Sequence, residues 1–117
     1  MVTPVTIDRL RDGRDIAAVL RGPHQRAGRV AVVHVRRSDR AGPARVAVVA
    51  SRRIGSAVAR NRAKRLLREA SRHVAWSPGT DVVLVARGAC ATSRMPNVHA
   101  ELHRLALELG AVEEAAA

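Results

Sequence analysis

The chain has 117 residues and a mass of 12.6 kDa, with 47% apolar and 26% charged residues and a single cysteine, Cys90. That balance fits one globular domain, 1–117, and excludes an internal disulfide framework, a cysteine-based zinc cluster and a membrane span; with no secretory pattern at its start, the chain is expected in the cytoplasm. Twenty Arg and one Lys, Lys64, stand against 10 acids for a net charge of +11, so a polyanionic partner is expected, while one Trp and no Phe or Tyr argue against a single-strand reader built on ring stacking.

Residues 1–11 read as irregular and, with 111–117, as flexible ends. Asp12 suits a helix N-cap with Asp15 in the first turn, and Ile16, Val19 and Leu20 give that short helix an apolar face. Gly22 and Pro23 end it. A weak strand signal at 24–28 precedes a clear one at 30–35, VAVVHV. After a polar turn holding Gly42 and Pro43, residues 45–50, RVAVVA, read as the next strand, and these two are expected to pair as an antiparallel hairpin. Gly55 breaks the chain and Ser56 suits an N-cap. In 57–74, Ala59, Ala63, Leu66, Leu67, Ala70 and Val74 form one apolar stripe at helical spacing. Ser77, Pro78 and Gly79 mark a turn, 82–86 a strand and 87–95 a loop. Pro96 suits a first helical turn, or Asn97 is the cap; Val98, Leu102, Leu105, Ala106 and Leu109 form the next stripe, ended by Gly110. The order helix-β-β-β-helix-β-helix predicts an α+β fold, a small α/β sandwich with helices on a sheet of about four strands.

Residues 52–72 hold Arg52, Arg53, Arg60, Arg62, Lys64, Arg65, Arg68 and Arg72 against one acid, Glu69. Arg60, Lys64, Arg68 and Arg72 recur every fourth residue and share a helix face, with Asn61 and Arg65 beside them. Like charges at that spacing repel by a few tenths of a kcal/mol per pair, so the row requires a firm anchor or a compensating polyanion. Arg52 and Arg53 precede the helix N-terminus, whose free N–H groups add to an anion site. A solvated basic face is the plain alternative. The density of arginine, whose planar fork matches phosphate, favours the polyanion.

The run from Ser51 to Ala70, SRRIGSAVARNRAKRLLREA, resembles the signature of the bacterial ribonuclease P protein subunit. That family carries a Ser-basic-basic-x-Gly turn, then an Arg-Asn-Arg helix with a following Lys-Arg pair and a further Arg. Arg60, Asn61, Arg62, Lys64, Arg65 and Arg68 fill those places. A weaker likeness covers nearly the whole chain, through Arg9-Leu10-Arg11, Asp15-Ile16, Gly22 and the strand from Asp81 to Arg87. The resemblance implies a left-handed β-α-β crossover through the signature helix, where the pattern alone suggests a right-handed one. It implies a monomeric protein in a 1:1 complex with ribonuclease P RNA, removing the 5′ leader of precursor tRNA. The RNA, with Mg2+, would perform the hydrolysis, and no catalytic residue falls to the protein. Arg52, Arg53, Arg60, Asn61, Arg62, Lys64, Arg65, Arg68 and Arg72 would contact RNA. The leader would lie in a cleft between the first helix and the sheet face, which the family lines with Phe and Tyr. Ile16, Leu20 and Val33 stand at those positions here, as an aliphatic cleft or as plain core. Without rings the cleft forgoes about 1–3 kcal/mol of stacking per base, leaving arginine planes and backbone charge to hold the leader.

A general RNA-binding structural protein and a free-standing nuclease are the alternatives; no acid–base constellation supports the second. His99 and His103 have a metal-ligand spacing but nothing in the sequence completes a set. Cys90 reads as an inert loop thiol, Asp8, Asp12 and Asp15 as caps and surface acids, and Trp76 as a packing residue at a helix end.

Overall fold

The computed structural model describes residues 6–113. Five strands and three helices follow in the order β1 (Asp8–Arg9), α1 (Gly13–Arg21), β2 (Gln25–Ala27), β3 (Ala31–Arg37), β4 (Arg45–Val49), α2 (Ala57–Ser71), β5 (Thr80–Ala86) and α3 (Met95–Glu108). Short 3₁₀ turns at Arg52–Ile54 and Gly88–Thr92 precede α2 and α3. The strands make one mixed sheet in the order β1-β4-β5-β3-β2. The fold is α+β, with five strands where four were expected.

Local chemistry sets the helix ends. The Asp12 carboxylate accepts the Arg14 N–H at 2.8 Å and opens α1. The Ser56 hydroxyl accepts the Ala59 N–H at 3.1 Å and opens α2. Pro96 sits in the first turn of α3, which starts at Met95, so Asn97 is inside the helix and not its cap. The strand alternation then separates two layers. Ala31, Val33, Val35, Val46, Val82 and Leu84 point to one face and are covered by α2 and α3 through Leu67, Ala70, Leu102 and Leu105. Ala47, Val49, Val83 and Val85 point to the other face and are covered by α1 through Ile16 and Val19. Trp76 is buried at the end of α2, its Nε1 donating to the Ser71 carbonyl at 3.1 Å.

The expected hairpin of β3 and β4 does not form. β5 lies between them, antiparallel to β3 and parallel to β4. β5 carries the run Val82, Val83, Leu84, Val85, and a strand apolar on both faces belongs at the centre of a two-sided sheet. Residues 38–44 can bridge the gap, because two strand spacings come to about 10 Å, roughly three extended residues. The crossing is made close to Gly79. Ser38 donates its N–H and hydroxyl to the Gly79 carbonyl, and the Gly79 N–H donates to Gly42 C=O at 3.0 Å. Gly79 has φ +78°, and a Cβ there would lie 2.8 Å from the Arg40 carbonyl oxygen, so both conformation and space require glycine.

The chain ends are better tied than expected. Asp8 and Arg9 pair in parallel with β4, and Leu10 is buried under α1. Ala111 is buried and Val112 bridges to Trp76. Residues 1–5 and 114–117, expected to be flexible, lie outside the described residues.

Candidate nucleic-acid interface

α2 is anchored by Ala63, Leu67 and Ala70, all fully buried, with Val74 just beyond its end. Burying one leucine contributes about 1.5–3 kcal/mol. Three like-charged i, i+4 steps along Arg60, Lys64, Arg68 and Arg72 oppose it by roughly 0.6–1.5 kcal/mol in all. The anchor therefore exceeds the repulsion, and the basic face stands without a partner. Asn61, Lys64, Arg65, Arg68 and Arg72 line one shallow recess of about 460 Å³ on the outer side of the helix. Glu69 also lines it, but its carboxylate faces Arg72 at 3.6 Å and His73 at 3.5 Å. Lys64, Arg65 and Arg68 have no acidic partner among the described residues.

The remaining basic residues of this stretch are placed differently. Arg52 and Arg53 are exposed on the 3₁₀ turn that leads into α2, where the Ser51 hydroxyl accepts the Arg53 N–H at 3.3 Å. Arg60 donates from Nη1 to the Gly55 carbonyl at 3.0 Å, holding the turn against the helix. Gly55 has φ +129°, a conformation that side chains disfavour. Arg62 points away from the recess. Its Nε donates to Ala91 C=O at 2.7 Å and its Nη2 to Ser93 C=O at 3.3 Å.

A second concavity, a groove of about 940 Å³, lies between the N-terminal segment and α2. Arg9 and Arg11 line one wall, Arg68 and Arg72 the other, and Ile7, Ile16, Val46 and Val48 the floor. Asp8 is the acid in the lining. Arg68 and Arg72 thus belong to both the recess and the groove, so the two basic surfaces are continuous.

The three expected cleft residues do not come together. Ile16 is half-buried and lines the groove. Leu20 is 38% exposed and stands apart from it. Val33 is fully buried on the opposite face of the sheet, under α2 and α3, and has no part in a cleft beside α1. The residues β3 turns toward α1 are Val32 and His34, paired with Val85 and Val83. His34 therefore supplies an aromatic ring on that face. It is 9% exposed, its Nδ1 has no hydrogen-bond partner, and burial lowers its pKa below the ordinary 6.5.

Two supporting carboxylates escaped the sequence reading. Asp81, in β5, accepts from Arg45 Nε at 2.8 Å and Nη2 at 2.7 Å and from Arg40 at 3.3 Å. Arg45 reaches on to Asp15 of α1 at 3.5 Å, and its hydrogen bonds to Asp81 raise its pKa. Glu101 of α3 accepts the N–H groups of Arg29, Val30 and Ala31 at 2.8, 2.8 and 3.1 Å. A Cβ on Gly28 would come within 2.5 Å of Glu101, which is the signal that a glycine before a strand offered. His99 bonds through Nε2 to the His73 carbonyl at 3.1 Å. Cys90 is buried, and desolvation pushes its thiol up to about 11.

A sequence model of the family described as Ribonuclease P matches residues 6–110. A relative from Symbiobacterium thermophilum, named Ribonuclease P protein component, is 42% identical over 82 residues, 68% of this chain and 70% of its own length. A protein of the same name from a Nocardioides species is 36% identical over 107 residues, 88% of this chain and 92% of its own. The RNase P protein of Thermotoga maritima superposes with a TM-score of 0.73 at 26% identity, over 92% of this chain and 99% of that one. That of Staphylococcus aureus gives 0.74 at 21% identity, over 90% and 97%, which shows a common fold.

Proposed function

The chain belongs to the ribonuclease P protein family, and from that membership we propose that it binds ribonuclease P RNA and assists removal of the 5′ leader from precursor tRNA. The observation that carries this reading is the outer face of α2. Lys64, Arg65 and Arg68 stand there without acidic partners, beside Asn61, on a helix whose packing already offsets their repulsion. Such a face gains most from a phosphate backbone, which also displaces counterions. Arg52 and Arg53 extend it onto the turn. The groove between Arg9, Arg11 and Arg68, Arg72 is the place for the leader, since its walls are basic and it adjoins the α2 face.

The protein's part is electrostatic and positional. It neutralises phosphates and holds two RNA segments in register, and so lowers the ion concentration the RNA needs. Hydrolysis and the Mg2+ ions belong to the RNA on this reading. Among the described residues, no three His, Cys, Asp or Glu side chains gather as a metal site. A monomer in a 1:1 complex with the RNA suffices, and a cytoplasmic setting suits those partners. Among the described residues no helix is long and apolar enough to cross a membrane.

The test is reconstitution. The protein is mixed with a bacterial ribonuclease P RNA and precursor tRNA at low magnesium, and the cut site is mapped against RNA alone and protein alone. Stimulated cleavage at the mature 5′ end, with none from protein alone, is the expected result. Tight RNA binding without stimulation would instead make this a general RNA-binding protein.

A further inference from the structure

The floor of the groove contains an open sheet edge. β1 covers only the start of β4. Asp8 N–H donates to Ala44 C=O at 2.8 Å and Leu10 N–H to Val46 C=O at 3.0 Å, after which the chain turns away toward the Asp12 cap. In a strand, the N–H and C=O of one residue point to the same side, and the side alternates along the chain. The Val46 carbonyl faces β1, so the N–H and C=O of Val48 face the same way. Beyond Leu10 no described backbone or side-chain group meets them. The groove's lining comes from both faces of the sheet, Ile16 and Val49 from the side of α1, Val48 and Arg72 from the side of α2. A groove can be lined in that way only by passing over the edge itself.

Val48 is half-buried, and an edge N–H and C=O unpaired within the protein offer a donor and an acceptor that a ligand can take up in place of water. An extended peptide could add as a strand. The charge decides against it, because Arg9, Arg11, Arg68 and Arg72 flank the edge with Asp8 as the opposing acid. We propose that the Val48 edge is a nucleobase-binding site. A single-stranded RNA lays its phosphates along the arginines and turns the hydrogen-bonding edge of one base to the Val48 N–H and C=O. The Watson–Crick edge of each base carries a donor next to an acceptor, so this backbone pair holds a base with no aromatic platform. The inference rests on the reading of the groove as a strand-binding site and deepens it.

Proline at position 48 tests the edge, because the Val48 N–H takes no part in the sheet, and an edge position facing away from its neighbour tolerates proline. Wild type, Val48→Pro and Val48→Ala are titrated with a short labelled single-stranded RNA and with an abasic strand of equal length. Wild type and Val48→Ala should bind the base-bearing strand more tightly than the abasic one. Val48→Pro should lose about fivefold on the base-bearing strand, as for one hydrogen bond, and keep its abasic affinity. Equal affinities of wild type for the two strands, or a Val48→Pro variant indistinguishable from Val48→Ala, overturn the proposal. If Val48→Pro does not fold, the wild-type Val48 amide is followed by ¹⁵N NMR. A shift and slower hydrogen exchange on adding the base-bearing strand, absent with the abasic one, support the site; no change, or a change produced only by a strand-forming peptide, overturns it. Reconstituted cleavage reports separately on the parent reading. Stimulation by a wild-type protein that binds the base-bearing and abasic strands equally sinks only the base site, whereas absence of stimulation sinks the parent reading.

Discussion

Arg62 of α2 donates from Nε to the Ala91 carbonyl at 2.7 Å, across a separation of 29 residues. The Arg-Asn-Arg sequence therefore divides its labour. Arg62 ties the 3₁₀ turn before α3 to the helix, while Asn61 opens onto the recess that Arg65 and Arg68 share. An exposed, charge-assisted hydrogen bond of this kind contributes about 1 kcal/mol. Arg62→Ala is expected to lower the melting temperature by roughly 4 °C. Arg65→Ala, with no intramolecular partner to lose, should leave the melting temperature in place and weaken RNA binding. Thermal melts and filter binding on the two variants separate the roles; the same melting shift from both would place Arg65 in the fold as well.

The α2 face makes a second prediction through salt. Each phosphate neutralised contributes about 0.7–0.9 to the slope of log K against log salt. Arg60→Ala, Arg65→Ala and Arg68→Ala together should make the slope for ribonuclease P RNA shallower by roughly 2–3 and leave the circular dichroism spectrum unchanged. A titration across several salt concentrations measures this directly. An unaltered slope would remove α2 from the interface.

These expectations grow from the part of the chain that local chemistry determines. The stripe of Ala63, Leu67 and Ala70, the Ser56 cap and the arginine row are all statements about residues within four positions of each other, and the helix follows them. Strand partners are not local. β3 and β4 are neighbours in sequence, yet the Val82–Val85 run, met 33 residues after the end of β4, takes the place between them. Val33 shows the same limit at finer scale. Side chains alternate along a strand, so assigning the cleft to Val33 rather than to Val32 or His34 moves it through the sheet to the wrong layer. The groove was equally hidden, because it needs Arg9 and Arg11 beside Arg68 and Arg72, which only the pairing of β1 with β4 brings about.

His34 gives the fold a dependence on pH. Burial lowers its pKa below 6.5, so the unfolded chain binds this proton more readily than the folded one. The stabilisation is fully present above the unfolded value and is lost as pH falls below it. Chemical denaturation at pH 7.5 and at pH 5 should show a drop in stability that is smaller in His34→Gln, which cannot titrate. An equal drop in both proteins would assign the effect to other groups.

Asp81 should be the most sensitive single acid in the sheet. It is 5% exposed and accepts three hydrogen bonds from Arg40 and Arg45, and Arg45 extends the chain of charges to Asp15 on α1. Breaking a fully buried pair from one side typically removes 3–5 kcal/mol. Both guanidiniums here are about a quarter exposed and can turn to water once their partner is gone, so Asp81→Ala is expected to destabilise by about 2–3 kcal/mol, a fall of roughly 10 °C in melting temperature. Arg40→Ala, which removes a single 3.3 Å contact to Asp81, should have a smaller effect. A double-mutant cycle between Asp81 and Arg45 isolates the pair, and hydrogen exchange on α1 tells whether the link to Asp15 holds the helix down. Faster exchange in α1 of Asp81→Ala, beyond that in α3, is expected if the charges run from β5 through Arg45 to the helix; uniform loss across both helices would make Asp81 a support of the sheet alone.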